Sequence, residues 1–135
     1  MRVLLDDEPQ TLRPAGAIIA TTGLWYHRLC RALTGPAVVG SMSRRLGAVN
    51  EDLAAQAVAA VIELPATIEL LSFRTLGWPM GQLVGERARL NLLSLEALAA
   101  AHHLEAEVCL AAADDNPPLR SAASALGVPV RTIAR

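Results

Sequence analysis

The chain has 135 residues, of which 53% are hydrophobic and 3% aromatic, and its formal net charge is −1. One domain is expected, because a chain of this length can bury a core without disulfide or metal support. The balanced charge excludes a global basic field for nucleic acid, and no apolar run approaches the roughly 20 residues that span a bilayer. All twelve basic residues are arginines, which excludes a P-loop and lysine-based covalent catalysis.

Cysteine usage and the first residues predict a cytoplasmic protein. Cys30 and Cys109 lie in separate apolar segments, without the spacing of a metal or redox motif, and are expected to be buried free thiols. His27, His102 and His103 also lack a metal-ligand spacing. The sequence turns acidic by its sixth residue, which is too early for a secretory signal.

Apolar runs and Pro/Gly punctuation predict strands alternating with helices of about ten residues. The expected strands are residues 2–5, 17–20, 68–73, 107–113 and 129–133. The expected helices are residues 23–33 after Thr21 or Thr22, 51–64 after the N-cap Asn50, 76 or 79 to 89, 95–103 after Ser94, and 117–127. This alternation predicts an α/β fold, a three-layer sandwich with a mainly parallel central sheet flanked by helices.

The N-terminal segment Val-Leu-Leu-Asp-Asp-Glu-Pro at residues 3–9 resembles the start of a response-regulator receiver domain. Such a domain also requires an aspartate after its third strand and a lysine near its fifth. The chain has no aspartate between Asp52 and Asp114, and it has no lysine. A receiver-like binding module therefore remains a minor alternative.

The C-terminal half carries a more extensive pattern. Leu-Asn-Leu-Leu-Ser-Leu-Glu-Ala-Leu begins at residue 90, Glu-Val-Cys-Leu-Ala-Ala-Ala-Asp ends at residue 114, and Leu-Gly-Val-Pro-Val ends at residue 130. Across residues 90–133 this pattern resembles the closing half of a PIN domain, as in the VapC-like ribonucleases of type II toxin–antitoxin pairs. The resemblance implies a single PIN-like domain over residues 1–135.

The N-terminal half fits the same family in two ways. If residues 17–20 are the family's second strand, its first strand and helix are missing. If residues 2–5 are the first strand, Asp6 is the first acid, but too few residues remain for a full helix before the next strand. The sequence does not decide between these alignments.

The resemblance implies a carboxylate cluster that binds one or two Mg²⁺ or Mn²⁺ ions and cleaves RNA. The family places these acids at the end of strand one, on the helix after strand two, on the helix before strand four, and just after strand four. Glu96 matches the third position, and Asp114 or Asp115 matches the fourth; Glu96 and Asp114 would be catalytic. The first acid is Asp6 or Asp7, or is absent.

The second acid should lie near Tyr26-His27-Arg28, where no carboxylate is present. Glu63 or Glu69 could substitute for it. At best two or three of four ligands survive, and a nearby arginine disfavours a cation. The metal set Asp6, Glu96, Asp114 and Asp115 is therefore expected to form a degenerate site.

Each candidate residue also has a purely structural interpretation. Glu96 would interact favourably with the dipole of its own helix from the first turn, and Asp114-Asp115-Asn116 is typical of a turn and helix cap. Arg28 and Arg31 share a helix face that could contact RNA phosphates or simply keep the surface soluble. Trp25 and Trp78 are expected in the core or at an interface.

Three functions follow from these residues. The first is a PIN-like protein with a degenerate site and a binding role, whose partner is an antitoxin-type protein or a second copy in a homodimer. The second is an active Mg²⁺-dependent endoribonuclease, and the third is the receiver-like module. None of them involves a membrane, and enzymatic activity stays open.

Overall fold

A computed structural model describes residues 14–34, 51–86 and 90–133. The expected strand at residues 2–5, Asp6 and Asp7, and the cap at Asn50 lie outside the described residues. The elements are β1 (Ile19–Thr22), α1 (Gly23–Thr34), α2 (Glu51–Ile62), β2 (Ile68–Leu71), α3 (Phe73–Glu86), α4 (Leu92–His103), β3 (Val108–Ala111), a 3-10 turn (Ala112–Asp114), α5 (Pro117–Ala125) and β4 (Val130–Ile133). Strands thus alternate with helices, and the predicted α/β class is confirmed.

Strand pairing in the described residues produces two two-stranded sheets. β1 pairs with β2, and β3 pairs with β4. The second pair is parallel, in a register that runs from Val108 opposite Val130 to Ala111 opposite Ile133. Because α5 connects these parallel strands, this part of the chain is a βαβ unit, as the alternating pattern predicted.

The described residues belong to two compact units. One contains residues 20–24 and 70–133, and the other contains residues 14–19, 25–34 and 51–69. The hydrophobic core of the first unit is built around α4, which is buried from Ser94 to Ala101 except at Ala97. A helix that is apolar around its whole circumference belongs inside a fold. Core residues packed with α4 are Leu71, Leu76, Met80, Leu83, Val108, Leu119, Ala122, Ala123 and Val128.

Two helices begin earlier than the sequence predicted, because unexpected residues cap them. α3 begins at Phe73 rather than at residue 76 or 79, since the Ser72 hydroxyl accepts the Thr75 N–H at 3.3 Å. The predicted strand at residues 68–73 therefore ends at Leu71. α4 begins at Leu92, because the Asn91 side chain accepts the Ser94 N–H at 2.9 Å. Ser94 is thus inside α4 and does not cap it.

The C-terminal elements match the predicted helix and strand closely. The Asn116 side chain caps α5 by accepting the Leu119 N–H at 3.1 Å, and prolines fill the first turn, where a missing N–H has no cost. Gly127 ends the segment with φ at +69°, and its neighbour Val128 donates its N–H to the Ala123 carbonyl at 2.9 Å. This is the left-handed helix end that glycine favours.

Some burial predictions were wrong. Cys109 is exposed, because it occupies the outward-facing position of a strand of which only Val108 is fully buried. Trp78 is 77% exposed on α3, which excludes the core position and leaves the interface position as a prediction. Cys30 and Trp25 are half-buried. No helix in the described ranges is long and apolar enough to cross a membrane.

Candidate functional site

Of the predicted site residues that the structure describes, Glu96 is the most deeply buried. It is the fifth residue of α4 and has no solvent exposure. The sequence suggested an acid in the first turn, interacting with the dipole of its own helix. That interpretation was wrong, because Asn91 starts the helix one turn earlier. A buried carboxylate requires hydrogen-bond donors to offset the loss of water.

The donors to Glu96 come from the junction between β1 and α1. The Thr22 hydroxyl donates to Glu96 Oε2 in a short hydrogen bond. The Leu24 N–H lies 3.2 Å from Oε1 and 3.1 Å from Oε2, so it is shared between the two carboxylate oxygens. Thr22 is itself 4% exposed. All three groups belong to the compact unit formed by residues 20–24 and 70–133.

Glu96 therefore acts as an N-terminal cap supplied to α1 by a different helix. Leu24 is the second residue of α1, and its N–H is among the first four, which have no acceptor within the helix. α1 has no acid in its own first turn. The carboxylate satisfies an unpaired donor and places negative charge at the positive end of the helix dipole. These contacts define a structural tie between α4 and the β1–α1 junction.

Asp114 and Asp115 are both exposed, in contrast to Glu96. Asp114 ends the 3-10 turn that follows β3. The Asp115 carboxylate forms an ion pair with Arg120 at 2.5 Å, and Arg120 also donates to the Thr132 hydroxyl. These contacts connect the turn to α5 and β4. The turn-forming interpretation of this acidic segment therefore has direct support in the geometry.

Asn116 links the acidic turn to the helix that carries Glu96. Its side-chain N–H donates to the Ser94 hydroxyl at 3.0 Å, while its oxygen caps α5. Ser94 lies two residues before Glu96 on α4. The segment after β3 is thus held against the first turns of α4. The contact is made by Asn116 and Ser94, and not by Asp114, Asp115 or Glu96.

The donor set around Glu96 does not fit a divalent cation. Mg²⁺ and Mn²⁺ require several oxygen ligands that point their lone pairs at one position. Both Glu96 oxygens instead accept hydrogen bonds from protein donors, Oε2 from the Thr22 hydroxyl and both oxygens from the shared Leu24 N–H. Within residues 14–34, 51–86 and 90–133, no three His, Cys, Asp or Glu side chains are grouped to bind a metal. Glu63 and Glu69, the suggested substitutes, are exposed.

Arg28 and Arg31 are both exposed on α1, as a phosphate-binding role would require. The Arg28 guanidinium lies over the Trp25 ring, 5.1 Å from its centroid, in a cation–π contact. Tyr26, on the same helix, donates its hydroxyl to the Ile62 carbonyl at 3.0 Å. Binding of RNA by the two arginines stays a prediction.

One polar cluster was not anticipated from the sequence. Arg131 on β4 forms an ion pair with Glu107, and its guanidinium lies 3.5 Å from the Cys109 sulfur. The hydrogen bond from Arg131 to Glu107 lowers the pKa of Glu107. Partial burial of the Cys109 thiol raises the pKa of Cys109. Only the parallel register, which pairs Cys109 with Arg131, brings these residues together.

Comparisons of the chain with protein-family models, curated proteins and solved structures found no match.

Proposed function

We propose that the chain is a PIN-like protein with a degenerate metal site, which keeps its fold to bind another protein and does not cleave RNA. The observation that carries this proposal is the environment of Glu96. Among the expected metal ligands that the structure describes, Glu96 is the fully buried acid, and its oxygens are occupied by the Thr22 hydroxyl and the Leu24 N–H. Its role is then to fasten the β1–α1 junction to α4.

The arrangement of segments supports the PIN-like part of the proposal. The resemblance expects an acid on the helix before a strand and a second acid just after that strand. Glu96 on α4 precedes β3, Asp114 follows β3, and Glu96 reaches Thr22 at the end of β1. The same resemblance underlies the proposal of one domain with a three-layer sandwich.

The residues opposite Glu96 support the proposal that the metal site is degenerate. The sequence contains no Asp or Glu between Glu8 and Glu51, so the β1–α1 junction and the whole of α1 lack a carboxylate. A cation at this position would displace the two donors and would gain few oxygen ligands in exchange. It would also meet the positive end of the α1 dipole, which repels cations. The geometry thus favours a structural hydrogen-bond cluster over a catalytic one.

Calorimetric titration with Mn²⁺ and with Mg²⁺ tests the proposal. The wild type, Glu96→Gln and Asp114→Asn would be compared with Glu105→Gln, a control at an exposed acid outside the candidate metal set. We expect no stoichiometric binding in any of the four proteins, and a lower melting temperature for Glu96→Gln alone. One or two ions bound by the wild type, and lost in both Glu96→Gln and Asp114→Asn, would instead support the Mg²⁺-dependent endoribonuclease and its RNA cleavage.

A further inference from the structure

We draw no further inference here: the strongest candidate, the exposed apolar stripe that Ala55, Val58, Ala59 and Ile62 form at helical spacing on α2, carries nothing because no feature of the described residues shows what covers it.

Discussion

Thr22 donates its hydroxyl to the carboxylate of Glu96, a residue 74 positions later in the chain. The bond joins the end of β1 to the second turn of α4, and the N–H of Leu24 binds the same carboxylate. Every group in this cluster is buried or partly buried. Such bonds gain strength from the loss of water around them, and their loss is correspondingly costly. The cluster is therefore expected to contribute measurably to the free energy of unfolding.

Replacing Glu96 is expected to destabilise the fold markedly. Glu96→Ala leaves the Thr22 hydroxyl and the Leu24 N–H without their acceptor and creates a cavity beside them. We expect a loss of about 3 kcal/mol in the free energy of unfolding. Glu96→Gln keeps the volume and one acceptor, and should cost about 1–2 kcal/mol. Urea denaturation measures both values.

Thr22 provides the matched partner for this measurement. Thr22→Val keeps the shape of the side chain and removes the donor, whereas Thr22→Ser keeps the donor. We expect Thr22→Ser to be the milder of the two. In the double-mutant cycle of Thr22→Val with Glu96→Gln, the coupling energy should be about 1 kcal/mol or more. Additive effects would show that the two side chains do not depend on each other.

Asn116 is expected to contribute through both ends of its side-chain amide. Its oxygen caps α5 and its nitrogen donates to the Ser94 hydroxyl. Asn116→Ala should cost about 1–2 kcal/mol, because it removes the cap and leaves a partly buried hydroxyl without its donor. Asn116→Asp keeps the cap and loses the donor, and should cost less. Thermal melting of Asn116→Asp in a Ser94→Ala background isolates the second bond, since the difference between Asn and Asp should then nearly vanish.

The contrast between Asn116 and Glu96 shows what local sequence signals can and cannot predict. The two ends of α5 are set by adjacent residues, Asn116-Pro117-Pro118 at its start and Gly127 at its end. Both ends of that helix were therefore predicted correctly. The α3 and α4 starts were missed, because Ser72 and Asn91 compete with other capping residues nearby. Which of several possible residues caps a helix depends on which face of the helix is buried. Burial is a property of the tertiary packing.

The role of Glu96 was beyond such local reasoning. Its acceptor function depends on the distance between α4 and the β1–α1 junction, which no spacing along the chain encodes. Its burial has a weak signal, since it lies within the otherwise apolar segment Leu95–Ala101. The cluster of Glu107, Cys109 and Arg131 depends in the same way on the register of β3 and β4. Side chains that converge from distant segments require the fold before their chemistry can be assigned.

The ion pair of Glu107 with Arg131 predicts a small dependence of stability on acid pH. The hydrogen bond from Arg131 lowers the pKa of Glu107 below its ordinary value of 4.5. The pair therefore stabilises the fold fully above pH 4.5, and this contribution is lost as the pH falls through the lowered pKa. Both side chains are about one-third exposed, so salt should reduce the effect. Melting temperatures measured from neutral pH into the acid range should fall less steeply for Glu107→Gln than for the wild type.

Glu105→Gln is the control for that titration, because Glu105 is a neighbouring exposed acid. Its acid profile should follow the wild type. NMR of the Glu107 carboxyl carbon gives the second readout, and its midpoint should rise toward the ordinary value in Arg131→Gln. An unchanged midpoint in that variant would contradict the assigned cause.

Cys109 is expected to react slowly with alkylating reagents although the residue is exposed as a whole. Partial burial of its thiol raises its pKa above the ordinary 9.0, with a further contribution from Glu107, while Arg131 acts in the opposite direction. The thiolate is the reactive form, so the rate of alkylation should reach half its maximum only above pH 9.0. The measurement uses a Cys30→Ser background with iodoacetamide. Because burial is the main cause, the midpoint should return to the ordinary value in denaturant; equal midpoints in the folded and unfolded chain would refute this account.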